Sequence, residues 1–204
     1  MSLSYLFWKR VFDIGTSLLL IILCMPLLLF FSLLSLITQG KPILFKQTRT
    51  GLNNKSFIIW KFRTMKECIK EKGEHIYDWG ESVPDEFIFK TGSNSQVTKL
   101  GKIYRKYSID ELPQLFNVLI GDMSIVGPRP EIPAITKYYD VHQARRLNVK
   151  PGITGYAQIN GRSEINHGKK IKLDLNYVEN CSILLDIKIL LNTVVLVLKG
   201  KGAY

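Results

Sequence analysis

The residues whose types and spacing could hold a phosphate lie in the middle of this 204-residue sequence. Ser108-Ile109-Asp110-Glu111-Leu112-Pro113 opens an apolar stretch, LPQLFNVLIG, that stops at Gly121. Proline is tolerated only in the first turn of a helix, so Pro113 predicts a helix whose start lies at or beside Asp110. Two readings of the acids stand side by side. In one, Asp110 caps the helix, or Ser108 and Glu111 form a capping box. In the other, the helix start offers free N–H groups to a phosphate and keeps a neighbouring carboxylate ionised. Successive helical residues point roughly 100° apart, so Asp110 and Glu111 cannot share one proton as a dyad and must take distinct roles.

Cations that could complete such a site occur on both sides of the acids. Phe57 to Met65 is rich in β-formers, and alternation puts Lys61 and Arg63 on one face, where both can meet one anion. Lys99 to Arg105 reads as a short helix with a basic face. Arg129 sits between Pro128 and Pro130 and is restricted toward extended backbone, a stiff mount for a two-pronged phosphate donor. A second turn-forming element runs from Pro151-Gly152 to Gly161-Arg162; it lacks the Gly-Lys-Ser/Thr ending of a Walker loop. Three cysteines and three histidines, all scattered, exclude a disulfide framework or zinc site, so a bound metal would take oxygen ligands.

The elements that must carry these residues fall into two parts, residues 1–40 and 41–204. Ile14 to Gly40 contains no charged residue and is long enough to cross a bilayer, for which roughly 20 apolar residues suffice. Pro26 lies in its middle, where a kink is expected. Lys9 and Arg10 precede the run and Lys41, Lys46 and Arg49 follow it, so both flanks are basic. A single crossing and a hairpin that dips in and returns both fit. Residues 71–96 are polar and Gly-rich and read as a long irregular insertion, while Ile183–Leu198 reads as a helix on the core or in the membrane interface. Charge is uneven: residues 1–66 hold nine basic side chains and one acid, Asp13, and so carry +8 of the total +11. An anionic partner should meet this third first.

Taken in order, these motifs resemble a known family. Lys9-Arg10-Val11-Phe12-Asp13, the apolar run, Lys61-Phe62-Arg63-Thr64-Met65, Ser108 to Gln114, Gly121 to Pro130, Pro151 to Gln158 and Asp174 together resemble the bacterial sugar transferases, the monotopic polyprenyl-phosphate phosphoglycosyl transferases. The resemblance implies an α+β fold: a re-entrant membrane helix–break–helix at Pro26, joined to a small cytoplasmic mixed α/β catalytic domain with interfacial amphipathic helices. It implies transfer of a phospho-sugar from a UDP-sugar to polyprenyl (undecaprenyl) phosphate with release of UMP and with Mg²⁺, at the cytoplasmic face of the bacterial inner membrane. Asp110 matches the nucleophile, and a metal ligand, of that family, and Glu111 its catalytic partner. Lys61, Arg129 and Asp174 match other required positions; Arg63, Arg105 and Arg162 complete the expected substrate-binding set. Where relatives carry Ser-Pro at the membrane break, this chain has Met25-Pro26, and an Asp-Pro-Arg run is replaced by Asn94-Ser95-Gln96.

Membrane lipids, the UDP-sugar and the polyprenyl phosphate are the expected partners, with homodimerisation left open. A nucleic-acid binder is disfavoured: no nucleic-acid motif is present, and the basic residues lack interleaved aromatics on a predicted sheet.

Overall fold

The uncharged run forms part of a single helix, α1 (Leu3–Gln39), in a computed structural model that describes residues 3–65, 77, 79–80, 82–88, 96–161 and 165–199. Arg162 and most of the 71–96 insertion lie outside the described residues. The expected break at Pro26 is not a break in secondary structure, because α1 continues on both sides of it. A proline there removes one N–H and leaves the Ile22 carbonyl without its donor, while bonds in the turns around it survive. Pro26 also sits on the exposed face, away from the rest of the chain.

One stripe of α1 is buried: Asp13, Ser17, Ile21, Leu28 and Ser35, spaced by four and seven residues and therefore on one side of a helix. The rest of the helix exposes Leu18, Ile22, Leu29, Phe30, Leu33 and other large apolar side chains. Polar groups fix the buried stripe. Lys9 Nζ pairs with Asp186 at 2.8 Å and donates to the Val126 carbonyl at 3.0 Å. Arg10 donates to the carbonyls of Val118 and Leu119 at 2.7 and 2.9 Å, and Asp13 accepts from Ser124 Oγ and the Ile125 N–H. Buried carboxylates are tolerated because each is paired and hydrogen-bonded. The two cations that read as a basic flank of the apolar run are thus consumed in docking the helix.

After α1 the chain makes an antiparallel hairpin, β1 (Leu44–Thr50) and β2 (Ser56–Phe62), with Leu44 opposite Phe62 and Thr50 opposite Ser56. The basic helix expected from Lys99 is α2 (Lys99–Lys106), capped by Thr98, whose hydroxyl accepts from the Gly101 N–H at 2.8 Å. α3 (Gln114–Ile120) ends on Gly121 at a φ of +102°, a conformation that glycine adopts without a Cβ penalty. Then come β3 (Ser124–Val126), the single-turn helices α4 (Pro133–Thr136) and α5 (Val141–Ala144), β4 (Gly152–Thr154) and α6 (Tyr156–Ile159). α7 (His167–Asn180) and α8 (Ile183–Leu198) close the described chain. β3 and β4 pair in parallel, Ser124 with Gly152 and Val126 with Thr154.

Helix and sheet share one main core: Ile21 of α1, Ile59 of β2, Leu115 and Val118 of α3, Ile125 and Val126 of β3, Tyr177 of α7 and Ile189 of α8. A second cluster joins Leu28, Phe62 and Tyr104. The expected mixed α and β composition is borne out. α8 divides by face: Asp186 and Ile189 are fully buried, whereas Leu184, Leu191 and Leu198 are exposed.

Candidate active site

Asp110 and Glu111 lie in a 3₁₀ turn, Ile109–Glu111, ahead of α3 rather than at its first residue. Ser108 enters the turn at a φ of +55° and its side chain makes no capping bond. Backbone bonds from Glu111 N–H to the Ser108 carbonyl and from Leu112 N–H to the Ile109 carbonyl hold the turn, at 3.2 and 3.1 Å. Ile109 and Leu112 anchor it against the Leu28–Phe62–Tyr104 cluster. Both helix-capping readings are therefore overturned. A left-handed Ser108 cannot present its hydroxyl to the turn's N–H groups, and the Glu111 carboxylate is engaged elsewhere.

That engagement organises the site. Lys61, near the end of β2, donates from Nζ to Glu111 Oε1 at 2.9 Å, and Arg129 Nη2 donates to the same oxygen at 2.7 Å. Burial alone would raise the Glu111 carboxyl; the Arg129 and Lys61 charges outweigh it and hold the group well below the usual carboxylate range. Burial pulls the Lys61 ammonium down from its ordinary value against the opposing pull of Glu111. Asp110 has no hydrogen bond or ion pair among the described residues. Burial first, then the adjacent Glu111 charge, push its carboxyl up to about 6, against the pull of Lys61, Arg129 and Arg105. Arg105 stands at this edge of the site, its Nε donating to Thr64 Oγ1 at 3.1 Å.

The segment carrying Arg129 is held at every carbonyl. Pro128 accepts from the Gly152 N–H at 2.9 Å and Glu131 from the Thr50 N–H at 2.8 Å. The Arg129 carbonyl accepts from Arg146 Nη2 at 2.9 Å, and that of Pro130 from Arg49 Nη1 at 3.3 Å. Gly127 N–H donates to the Thr154 carbonyl at 2.9 Å. A Cβ on Gly127 would overlap the Lys150 carbonyl oxygen, so only glycine allows this close backbone approach to β4. On this mount the Arg129 side chain stays 44% exposed, with Nη2 on Glu111.

Not every expected residue converges here. Arg63 lies past the end of β2 and its guanidinium caps α1 instead, donating to the carbonyls of Gln39, Gly40 and, at 3.4 Å, Lys41. The last carbonyls of a helix have no internal partner, and a five-donor cation satisfies several at once. Asp174 is also not at the surface of the site: it is 1% exposed and pairs with Arg146 Nη2 at 2.5 Å, one layer behind Arg129. Arg162 lies outside the described residues. Arg146 and Arg49 were missed by sequence reasoning, and no sequence signal separates the buried Arg146 from its exposed neighbour Arg145, which pairs with Glu179. No group of three or more His, Cys, Asp or Glu side chains gathers among the described residues.

The model of the bacterial sugar transferase family matches residues 4–200. The chain is 45% identical to the uncharacterised sugar transferase EpsL of Bacillus subtilis over 95% of its length and 89% of that protein. It is 41% identical to the UDP-glucose:undecaprenyl-phosphate glucose-1-phosphate transferase of Klebsiella pneumoniae, over 97% of this chain and 41% of that enzyme. It is 36% identical to the undecaprenyl-phosphate galactose phosphotransferase of Salmonella typhimurium, over 97% of this chain and 42% of that enzyme.

Proposed function

Because the chain belongs to the bacterial sugar transferase family, we propose that it is a sugar-phosphate transferase that moves a sugar 1-phosphate from a UDP-sugar to undecaprenyl phosphate and releases UMP. The observation that carries this reading is the contrast between two adjacent acids. Glu111 is locked by two cations, whereas Asp110 beside them has no hydrogen bond or ion pair among the described residues. An unpaired carboxylate near fixed cations is suited to attack phosphorus, splitting one difficult transfer into two easier steps.

In the first step an Asp110 oxygen bonds to the sugar-bearing phosphorus of the UDP-sugar. The bond from that phosphorus to the bridging oxygen breaks, and UMP leaves with the bridging oxygen. In the second step a phosphate oxygen of the lipid attacks the same phosphorus and the Asp110 carboxylate departs, giving polyprenyl-diphosphate-sugar. Arg129, and Lys61 behind it, offset the repulsion between carboxylate and diphosphate. Glu111 acts by positioning both cations; a carboxyl held this far below its usual range is a poor proton acceptor. Among the described acids of the site Asp110 is the one that could hold Mg²⁺, and the ion would supply further neutralisation of phosphate charge.

The docking of α1 supports a reading of membrane placement. Lys9 is tied to α8 at one end, and at the other Tyr104 Oη donates to the Phe31 carbonyl and lies 2.9 Å from Ser35 Oγ. Those anchors are about 33–39 Å apart along a helix rising 1.5 Å per residue. A helix held over that span by a polar domain has no free stretch of roughly 20 residues with which to cross a bilayer. This supports a monotopic arrangement, with the apolar faces of α1 and α8 in the cytoplasmic leaflet of the inner membrane and both flanks of α1 on the cytoplasmic side.

The test is covalent labelling. Protein given UDP-glucose or UDP-galactose and Mg²⁺ without lipid should release UMP once per active site and carry a phospho-sugar on the peptide containing Asp110. Asp110→Asn should neither label nor turn over, and EDTA should abolish both until Mg²⁺ is restored. A label on Glu111, or labelling of the Asp110→Asn protein, would overturn the assignment.

A further inference from the structure

Behind the proposed phosphate clamp lies a buried guanidinium that the reaction itself does not use. Arg146 is 1% exposed. Its Nη2 donates both to Asp174 Oδ2 at 2.5 Å and to the main-chain carbonyl of Arg129 at 2.9 Å. Its Nη1 donates to Tyr139 Oη at 2.6 Å and lies 3.7 Å from Glu131 Oε1. Glu131 is in turn paired with Lys170. One rigid fork therefore joins α7, the segment after α4 and the Pro128–Glu131 strip.

We propose that Arg146, oriented by Asp174 and Tyr139, is a positioning residue that fixes the backbone of Arg129 and so aims its side chain at the phosphate. The torsion that directs the Arg129 carbonyl, ψ, is restricted but not fixed by the flanking prolines. Pro130 confines residue 129 to extended backbone but allows ψ a range of roughly 40°. A hydrogen bond to that carbonyl from a buried, doubly anchored guanidinium narrows this range. The benefit is lower entropy lost when the clamp closes on an anion, which is the general gain from preorganisation. A lysine at 146 keeps the positive charge facing Asp174. It cannot reach the carboxylate, the Arg129 carbonyl and the Tyr139 hydroxyl in the same planar geometry. This inference deepens the transferase reading, since it names what sets the clamp of that same site.

The experiment is a double-mutant cycle on the full-length protein in detergent micelles, with binding of inorganic pyrophosphate read by calorimetry. Arg146→Lys should weaken binding on the order of 10-fold in the wild-type background and less than about 2-fold when Arg129 is already Lys, because coupled residues are non-additive. Equal losses in both backgrounds, or no loss in either, would overturn the proposal; a merely structural role predicts equal losses. Should Arg146→Lys not fold by circular dichroism, Tyr139→Phe keeps the charge and removes one anchor. It should show a smaller loss with the same dependence on Arg129, and an additive loss counts against the proposal. No pyrophosphate binding by the wild-type protein would also overturn it. UMP release from UDP-glucose and UDP-galactose is measured in parallel. Its absence alongside a background-dependent binding loss would sink the transferase reading while leaving the role of Arg146 standing.

Discussion

Asp110 and Glu111 are neighbours in the chain with opposite electrostatic fates. One oxygen of Glu111 accepts from both Lys61 and Arg129, whereas the Asp110 carboxylate has no polar partner among the described residues. The 3₁₀ turn that carries them rotates successive side chains by a large angle, so adjacent carboxylates enter different surroundings. The division of labour between a fixed acid and an available one is set by this turn.

A pH dependence follows from that difference. The Asp110 carboxyl is raised to about 6, so it is ionised and able to attack above that value and protonated below it. Labelling by UDP-sugar should therefore fall as pH drops through about 6, with bound Mg²⁺ moving the midpoint lower. The Glu111 charge is one cause of the raised value. Glu111→Gln should accordingly shift the acid limb to lower pH even as it slows the reaction, because it also frees Lys61 and Arg129 to attract Asp110. Single-turnover UMP release from pH 4.5 to 8 checks both directions; a limb that moves upward in Glu111→Gln contradicts the electrostatic account.

Arg63 gives a prediction of the opposite kind, on stability instead of anion binding. Its side chain is buried against the carboxyl end of α1, where it serves three carbonyls. Arg63→Met should cost about 1.5–3 kcal/mol, the usual range for hydrogen bonds involving a charged group. Pyrophosphate affinity of the folded protein should change by less than about 2-fold. Thermal unfolding in micelles and calorimetry measure the two effects separately. A large affinity loss with unchanged stability would return Arg63 to the phosphate site.

Topology can be tested with single cysteines. After Cys24, Cys68 and Cys181 are replaced, Ser4→Cys sits in the first turn of α1 and Lys46→Cys beyond its last. Both positions are exposed. In intact cells neither should react with a membrane-impermeant maleimide, and in inverted vesicles both should. Opposite accessibility would mean that α1 crosses the bilayer.

Several features were legible in the sequence because they depend on local rules. The α3 stop at Gly121 needed only a residue that accepts positive φ. α2 and α8 were readable because short helices with a clear polar or apolar character occupy contiguous residues. The stiff Pro128-Arg129-Pro130 mount was readable from proline geometry alone. The run from Ile14 to Gly40 was legible as an apolar segment of membrane length, whereas its continuity as one helix through Pro26 was not.

Tertiary structure decided where long side chains went. Lys61 and Arg63 alternate correctly on paper, yet the strand ends between them at Phe62, so Lys61 meets Glu111 and Arg63 turns back to cap α1. Lys9 and Arg10 look like a charged membrane flank, but buried carboxylates and orphan carbonyls from segments over a hundred residues away claim them. Asp174 has the residue type of a ligand-binding acid and is instead paired with a buried Arg146. In each case a flexible charged side chain reaches several ångströms from its own backbone, and its partner is chosen by which unpaired group the fold has left within reach. Sequence spacing fixes where such a side chain starts; only the packed chain fixes where its charge ends.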